Sequence, residues 1–399
     1  MKSGSWPSIL LIYLYGVLAA ASLSKLIPLG QFFARQFGAG PAEFALLISL
    51  IALPAAIIGA AIGGVVDRVG PARALMFSAI AGALANIAYL VADRMLAFEL
   101  IRVFEGCALV GIFAAAPALI MATTTDKRRV RAMALWATYT PVGFSLGLLL
   151  SGGFVATDHW RICYVIHGVL FISVASAGLV LPDIEEPVAR YRPHTLVSRL
   201  KELLSGYSDP KLVRLVLALG CIVCIGFGTS TVFPAWFSHE HQLPIGTVST
   251  LLAAANLAMI AGSLLAGALI ARGIQVRSLF AALAAAGIFS GASLWFPLTP
   301  TFVAIALLCV WLATTGAATA TVMAVLPSVV RSPQKGASAA GLISQTSALV
   351  TFITPPIWLP AVAGNRWTLL IGFVLAGWLS SLVLLPVWGD RAAPAPVLS

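Results

Sequence analysis

Apolar runs near the roughly 20 residues that a bilayer crossing requires follow one another along almost the whole chain, separated by short polar punctuation. The first runs from about Pro7 past Pro28, where the missing amide predicts a kink, and continues toward Phe37. Phe44 to Val66 and Ala74 to Ala92 form the second and third, Met95 to Ala122 the fourth, Ala132 to Val155 the fifth and Ile162 to Leu181 the sixth. Six more begin near Leu212, Gly246, Ser278, Phe302, Ala337 and Thr368. The pattern predicts an all-α membrane protein with twelve transmembrane helices. A polar stretch from Pro182 to Lys211, broken by Pro187, Pro193 and Pro210, divides six from six. That places a first bundle over residues 1–185, a linker over 186–210 and a second bundle over 211–399. Within the linker, Leu196 to Leu204 is expected to form a short amphipathic helix on the membrane surface. Lys2, the run Ile9 to Ala21 and the small residues up to Ser22 outline a cleavable signal. The apolar region is long for a signal core of about 7–15 residues, and cleavage would leave an odd helix count, so it is read as the first transmembrane helix.

Composition agrees with this class. Of 399 residues, 60% are hydrophobic and 10% charged, against roughly 25% charged in soluble domains, and the mean hydropathy is +0.99. The net charge of +10 suggests a polyanionic partner, yet the basic residues fall in loops. Of 24 Lys and Arg, eighteen lie on one side of the predicted spans, four (Arg35, Arg94, Arg161 and Arg366) on the other, and Lys25 and Arg102 within spans. This bias puts both termini in the cytoplasm and speaks for orientation instead of nucleic-acid binding. The five cysteines lie inside apolar runs; Cys221-x-x-Cys224 lacks a second pair and reads as packing. His239-Glu240-His241 has too few ligands for a metal site. No phosphate-binding loop and no nucleophile–base constellation is present, so no cofactor, ATP-driven step or enzyme activity is expected.

Between the second and third runs stands Gly63-x-x-x-Asp67-Arg68-x-Gly70-x-x-Arg73. Its glycines allow a sharp turn and close helix approach, and its arginines mark the cytoplasmic face. The sequence returns 204 positions later: Gly267, Arg272 and Arg277 match Gly63, Arg68 and Arg73, with Ala271 in place of the acid. The spacing resembles the loop between helices two and three of major facilitator superfamily transporters. That resemblance implies two six-helix bundles, a midplane solute site between them, and a gating role for Gly63, Asp67, Arg68, Gly70 and Arg73.

In the fourth run, Arg102, Glu105 and Gly106 lie at i, i+3 and i+4, on one helix face. Intramembrane charge is expensive, so it faces a partner or a wet cavity. A self-neutralising Arg102–Glu105 pair is the plain alternative. The pattern resembles the superfamily's Arg-x-x-x-Gly motif, whose arginine is linked with proton coupling and first-helix contacts; Glu105 departs from it. Lys25 is the other ionisable group in a span. The resemblance implies that it shares a cavity with Arg102 and Glu105, opposite uncharged helices seven (Thr229, Ser230, Thr231, Phe233, Trp236) and ten (Trp311, Thr314, Thr315, Thr319). A net charge of about +1 there favours an anionic ligand, the plain alternative being a lysine that snorkels. In the fifth run, Pro141 predicts a bend, Gly143 and Gly147 close contact, and Trp136 and Tyr139 an aromatic pair that packs or stacks on substrate. This run loosely resembles the fifth-helix motif of drug/proton antiporters, with Thr140 in place of the expected glycine.

The expected function is secondary transport of a small organic solute by alternating access. Lys25, Arg102, Trp136, Tyr139 and Trp311 are candidate substrate contacts, and Glu105 with Arg102 candidate proton-coupling groups. Export of drug-like or metabolite compounds is set against uptake of a small organic anion, as in cyanate-permease-like relatives, with a transporter-like receptor as the remaining alternative. The expected partners are the solute, protons and the lipid bilayer, for a monomer in a bacterial inner membrane.

Overall fold

The structure, a computed structural model, describes residues 3–155, 157, 159–181, 208–330, 333–364 and 366–386, without the side chains of 60, 61, 67, 333–338 and 340. Among the described residues, twelve helices are long and apolar enough to cross a membrane: α1 Trp6–Phe37, α2 Pro41–Gly59, α3 Pro71–Val91, α4 Met95–Thr123, α5 Asp126–Gly152, α6 Arg161–Gly178, α7 Pro210–Glu240, α8 Ile245–Ala271, α9 Val276–Leu294, α10 Thr301–Val329, α11 Gly341–Ala363 and α12 Trp367–Leu384. Helix continues beyond α2 to Val69. Most of the linker expected over 186–210, with its amphipathic segment, lies outside the described residues. Asp209 then accepts the backbone amides of Lys211 and Leu212 at 3.1 and 3.3 Å, capping α7.

Among the described residues four spans are interrupted: α8 pauses at Leu257 without a proline nearby, and the other three break beside one. α1 leaves the α-helix at Lys25, passes through a 3-10 turn, Ile27–Leu29, and resumes at Gly30. Pro28 has no amide for the carbonyl one turn back, so the expected kink is a full break. α2 is broken the same way by the 3-10 turn Leu50–Ala52, with Pro54 just beyond it. In α5 the helix Asp126–Trp136 stops and restarts at Tyr139, ahead of Pro141. That span begins earlier than Ala132. Lys127 to Arg131 are its first turns and not a loop, as suits good helix formers behind an acidic first residue, Asp126.

The turn between α2 and α3 is a single residue. Gly70 sits at φ +90°, its amide bonded to the Val66 carbonyl at 2.9 Å, and Pro71 opens α3. In the second copy Gly273 at φ +87° does this work, one residue ahead of the position equivalent to Gly70.

Within the first half α1 packs on α5, and α3 on α4 and α6. Gly143 and Gly147 make the α1–α5 contact: a Cβ on Gly143 would lie 2.6 Å from the Ala20 Cβ, and one on Gly147 would strike the Ala21 carbonyl. Within the second half α8 packs on α10, α7 on α11 and α12, and α9 on α10. The halves meet along α2–α11 and α5–α8. At the end away from the Arg68 and Arg272 turns, Ser145 Oγ donates to the Ala253 carbonyl at 2.7 Å. Nearby, a Cβ on Gly246 would lie 2.6 Å from the Gly152 carbonyl oxygen. Among the described residues, the other ends of α5 and α8, residues 126–136 and 258–271, lack such packing.

Candidate functional site

The break in α1 leaves Lys25 inside the first bundle, 1% exposed, at the C-cap of the helix Trp6–Ser24. Its ammonium donates to Glu105 Oε1 of α4 at 2.6 Å and Asn86 Oδ1 of α3 at 2.8 Å, and lies 3.4 Å from His167 Nδ1 of α6. The Tyr89 and Tyr164 rings flank it at 5.1 and 5.0 Å. The other histidine nitrogen, Nε2, is 3.0 Å from the Leu18 carbonyl. A carbonyl only accepts, so Nε2 carries the hydrogen and the neutral ring turns the Nδ1 lone pair toward Lys25. Lys25 therefore has three acceptors for its three protons.

Glu105 is equally enclosed. Its second oxygen accepts from Arg102 Nη1 and from the Tyr89 hydroxyl, both at 3.0 Å. Among the described residues it is the one fully buried carboxylate. Arg102 spends its remaining donors on backbone. Nη1 reaches the Ser22 carbonyl at 2.9 Å, Nε the Leu47 carbonyl at 3.2 Å and Nη2 the Ile48 carbonyl at 3.4 Å. These carbonyls belong to the last helical turns before the breaks in α1 and α2, where partners within the helix run out. Gly106, one turn on, makes room for this. A Cβ there would press on the Ile51 carbonyl and sit 2.9 Å from Pro54. The spacing Arg-x-x-x-Gly thus places a five-donor fork and a bare backbone against one broken neighbour.

The arrangement differs from the expected one. Lys25, Arg102 and Glu105 do converge, and Lys25 does not snorkel. Their partners, however, come from α3 and α6 and not from α7 or α10, because those two helices supply the acceptors that a buried ammonium needs. The formal charge of the three remains +1.

The other candidates sit apart. Trp136 stacks on Tyr139, centroids 4.3 Å apart, and lies against α1, where a Cβ on Gly16 would be 2.5 Å from its ring. Tyr139 is half-buried and meets Phe113 of α4 at 5.3 Å. Trp311, expected on the solute path, is fully buried within the second half, edge-on to Trp378 at 6.3 Å and pressed on Gly291, whose missing side chain makes its space. Arg68 and Arg73 are exposed at the α2–α3 turn, Gly63 lies in the helix Leu53–Val69, and the Asp67 side chain falls outside the described residues. Among the described residues no three His, Cys, Asp or Glu side chains gather to hold a metal ion.

Asn86, Tyr89, Tyr164 and His167 are members of the cluster that the sequence reading passed over. Their signal was there: Asn86–Tyr89 and Tyr164–His167 are polar pairs at i, i+3 in apolar helices, the spacing of Arg102–Glu105.

Residues 12–355 match the sequence model of the Major Facilitator Superfamily. Among solved structures, the chain is similar to a bacterial homolog of the human lysosomal transporter Spinster in an inward-facing, unoccupied conformation. The TM-score is 0.73 at 16% identity, over 96% of this chain and 95% of that one. It is also similar to a mutant of the nucleoside transporter NupG, with TM-score 0.72 at 13% identity over 94% and 99% of the two chains. No curated protein matches it.

Proposed function

The chain belongs to the Major Facilitator Superfamily, and from that premise we propose that it is a proton-coupled secondary transporter of a small organic solute, working by alternating access. The observation that carries the coupling is the buried Glu105 carboxylate, held between Lys25 at 2.6 Å and Arg102 at 3.0 Å in the middle of a bundle. A carboxylate so placed changes the balance of its whole surroundings when it gains a proton, since two cations then lose their shared counter-ion. Glu105 is the proton carrier in this reading, with Arg102 as its partner. The turn bearing Gly63, Asp67, Arg68, Gly70 and Arg73 is the gate on the cytoplasmic side, with both termini on that face. The seam at Ser145–Ala253 and Gly152–Gly246 is the gate on the opposite side in this reading. The solute is a drug-like or metabolite compound, exported, with Tyr139 and Trp136 at its path.

The formal +1 charge of Lys25, Arg102 and Glu105 favours a second reading, uptake of a small organic anion. Proteoliposomes separate the two. In the first reading Glu105→Gln abolishes solute-driven proton flux while solute still exchanges down its gradient; unchanged coupling removes Glu105 from the mechanism. In the second, Lys25→Ala abolishes anion transport and spares neutral solutes.

A further inference from the structure

The break in α2 touches two things at once. On one side are Arg102 and Gly106, members of or neighbours to the buried charge cluster; on the other is α11 of the second half. Arg102 holds the carbonyls of Leu47 and Ile48, just before the 3-10 turn Leu50–Ala52. Gly106 lies against the Ile51 carbonyl and Pro54. Two residues past Pro54, the Ala56 carbonyl accepts from Gln345 Nε2 of α11 at 3.0 Å, across the boundary between the halves. Proline at 54 leaves the carbonyl one turn before it without an amide partner, so the break can bend at low cost in backbone bonds. The two flanking clamps fix its angle.

We infer that this break transmits the state of the Lys25–Glu105–Arg102 cluster to the second half, with Arg102, Gly106 and Gln345 as positioning residues that set how α2 leans on α11. When Glu105 lets go of Arg102, the guanidinium re-aims and the Leu47 and Ile48 carbonyls lose their donor. The angle of α2 then changes where Gln345 grips it. The inference rests on the alternating-access reading, but its readout does not require the solute. Gly106 and Gln345 test it best because neither carries charge, so altering them leaves the ion pairs intact.

The experiment uses the full chain in nanodiscs with the five native cysteines replaced by alanine. Spin labels at Val65→Cys and Arg272→Cys, both exposed at the basic-loop end, report the distance between the halves. Gly106→Ala, which forces α4 off the α2 break, and Gln345→Leu, which removes the second clamp, are each expected to change the ratio of short to long distances by about threefold or more. Their combination is expected to depart from the product of the single effects. Gly111→Ala, on the same helix but facing Ser78 of α3, is expected to leave the ratio unchanged. A Gly106→Ala distribution superimposable on the parent's, strict multiplicativity of the pair, or an equal shift from Gly111→Ala overturns the inference. Shifted distances in a protein that carries no solute would instead overturn the transport reading and leave this one standing.

Discussion

Lys25 Nζ and Glu105 Oε1 stand 2.6 Å apart, drawn from positions 80 residues distant in sequence, with both side chains 1% exposed or less. Removing Glu105 strands Lys25 in low dielectric, whereas removing Lys25 leaves Glu105 its Arg102 partner. Glu105→Gln leaves two cations without an anion and is expected to lower stability by about 3–5 kcal/mol. Lys25→Met leaves the Arg102–Glu105 pair intact and is expected to cost less. The double variant recovers part of the Glu105→Gln loss, since one stranded charge is gone. Thermal unfolding in detergent, run as a double-mutant cycle, reads all three; strict additivity would mean that the pair does not interact.

Arg102→Lys keeps the charge and loses the fork. A lysine ammonium cannot span Ser22, Leu47, Ile48 and Glu105 together, so carbonyls at both helix breaks are left bare at about 1–3 kcal/mol each. Arg102→Lys is therefore expected to be nearly as unstable as Arg102→Gln. Faster hydrogen exchange should be confined to residues 22–29 and 47–54. Parent-like exchange in those segments would show that the guanidinium does not hold the breaks.

Gly143→Ala and Gly59→Ala are expected to move stability in opposite directions. At Gly143 the new methyl meets the backbone of α1, which cannot turn aside, at a cost of about 1–3 kcal/mol. At Gly59 nothing lies within 4 Å of the added Cβ, and the lower entropy of the unfolded chain gives about 0.4–1 kcal/mol of stabilisation. Melting temperatures of the two purified variants check the sign.

At Gly70 the Cβ again finds open space, but φ is +90°. The penalty for Gly70→Ala is thus one of backbone conformation alone, about 1–3 kcal/mol at φ +90°, ψ +135°. Gly70→Val is expected to be worse, and Gly70→Asn no milder than Gly70→Ala, because ψ +135° lies outside the left-handed region that asparagine tolerates. Yield and melting temperature across the three variants test it.

Helix number and order were legible because hydrophobic length is nearly a direct reading of bilayer thickness. The kinks at Pro28 and Pro141 were legible because proline acts locally. What the sequence hid was rotational setting. Whether Lys25 looks toward α7 and α10 or toward α3 and α6 depends on how the α1 break turns the helix, and on where Asn86 and His167 happen to offer acceptors. Trp311 shows the same limit: a large aromatic in α10 is equally at home lining a path or filling the space that Gly291 leaves, and only packing decides. The start of α5 was misplaced because a run of arginines looks like a loop by hydropathy yet is good helix-forming chemistry.

The two copies of the repeat have parted company electrically. Among the described residues, Lys25, Arg102 and Glu105 in the first half are the fully buried charged side chains, while the buried polar groups of the second are hydroxyls, an amide and indoles. Voltage acts on charge, at about 2.3 kcal/mol per elementary charge carried across 100 mV. A membrane potential accordingly has a handle inside the first half and almost none inside the second. Any part of the working cycle that shifts the Lys25 neighbourhood along the field is energised asymmetrically, one half driven and the other following.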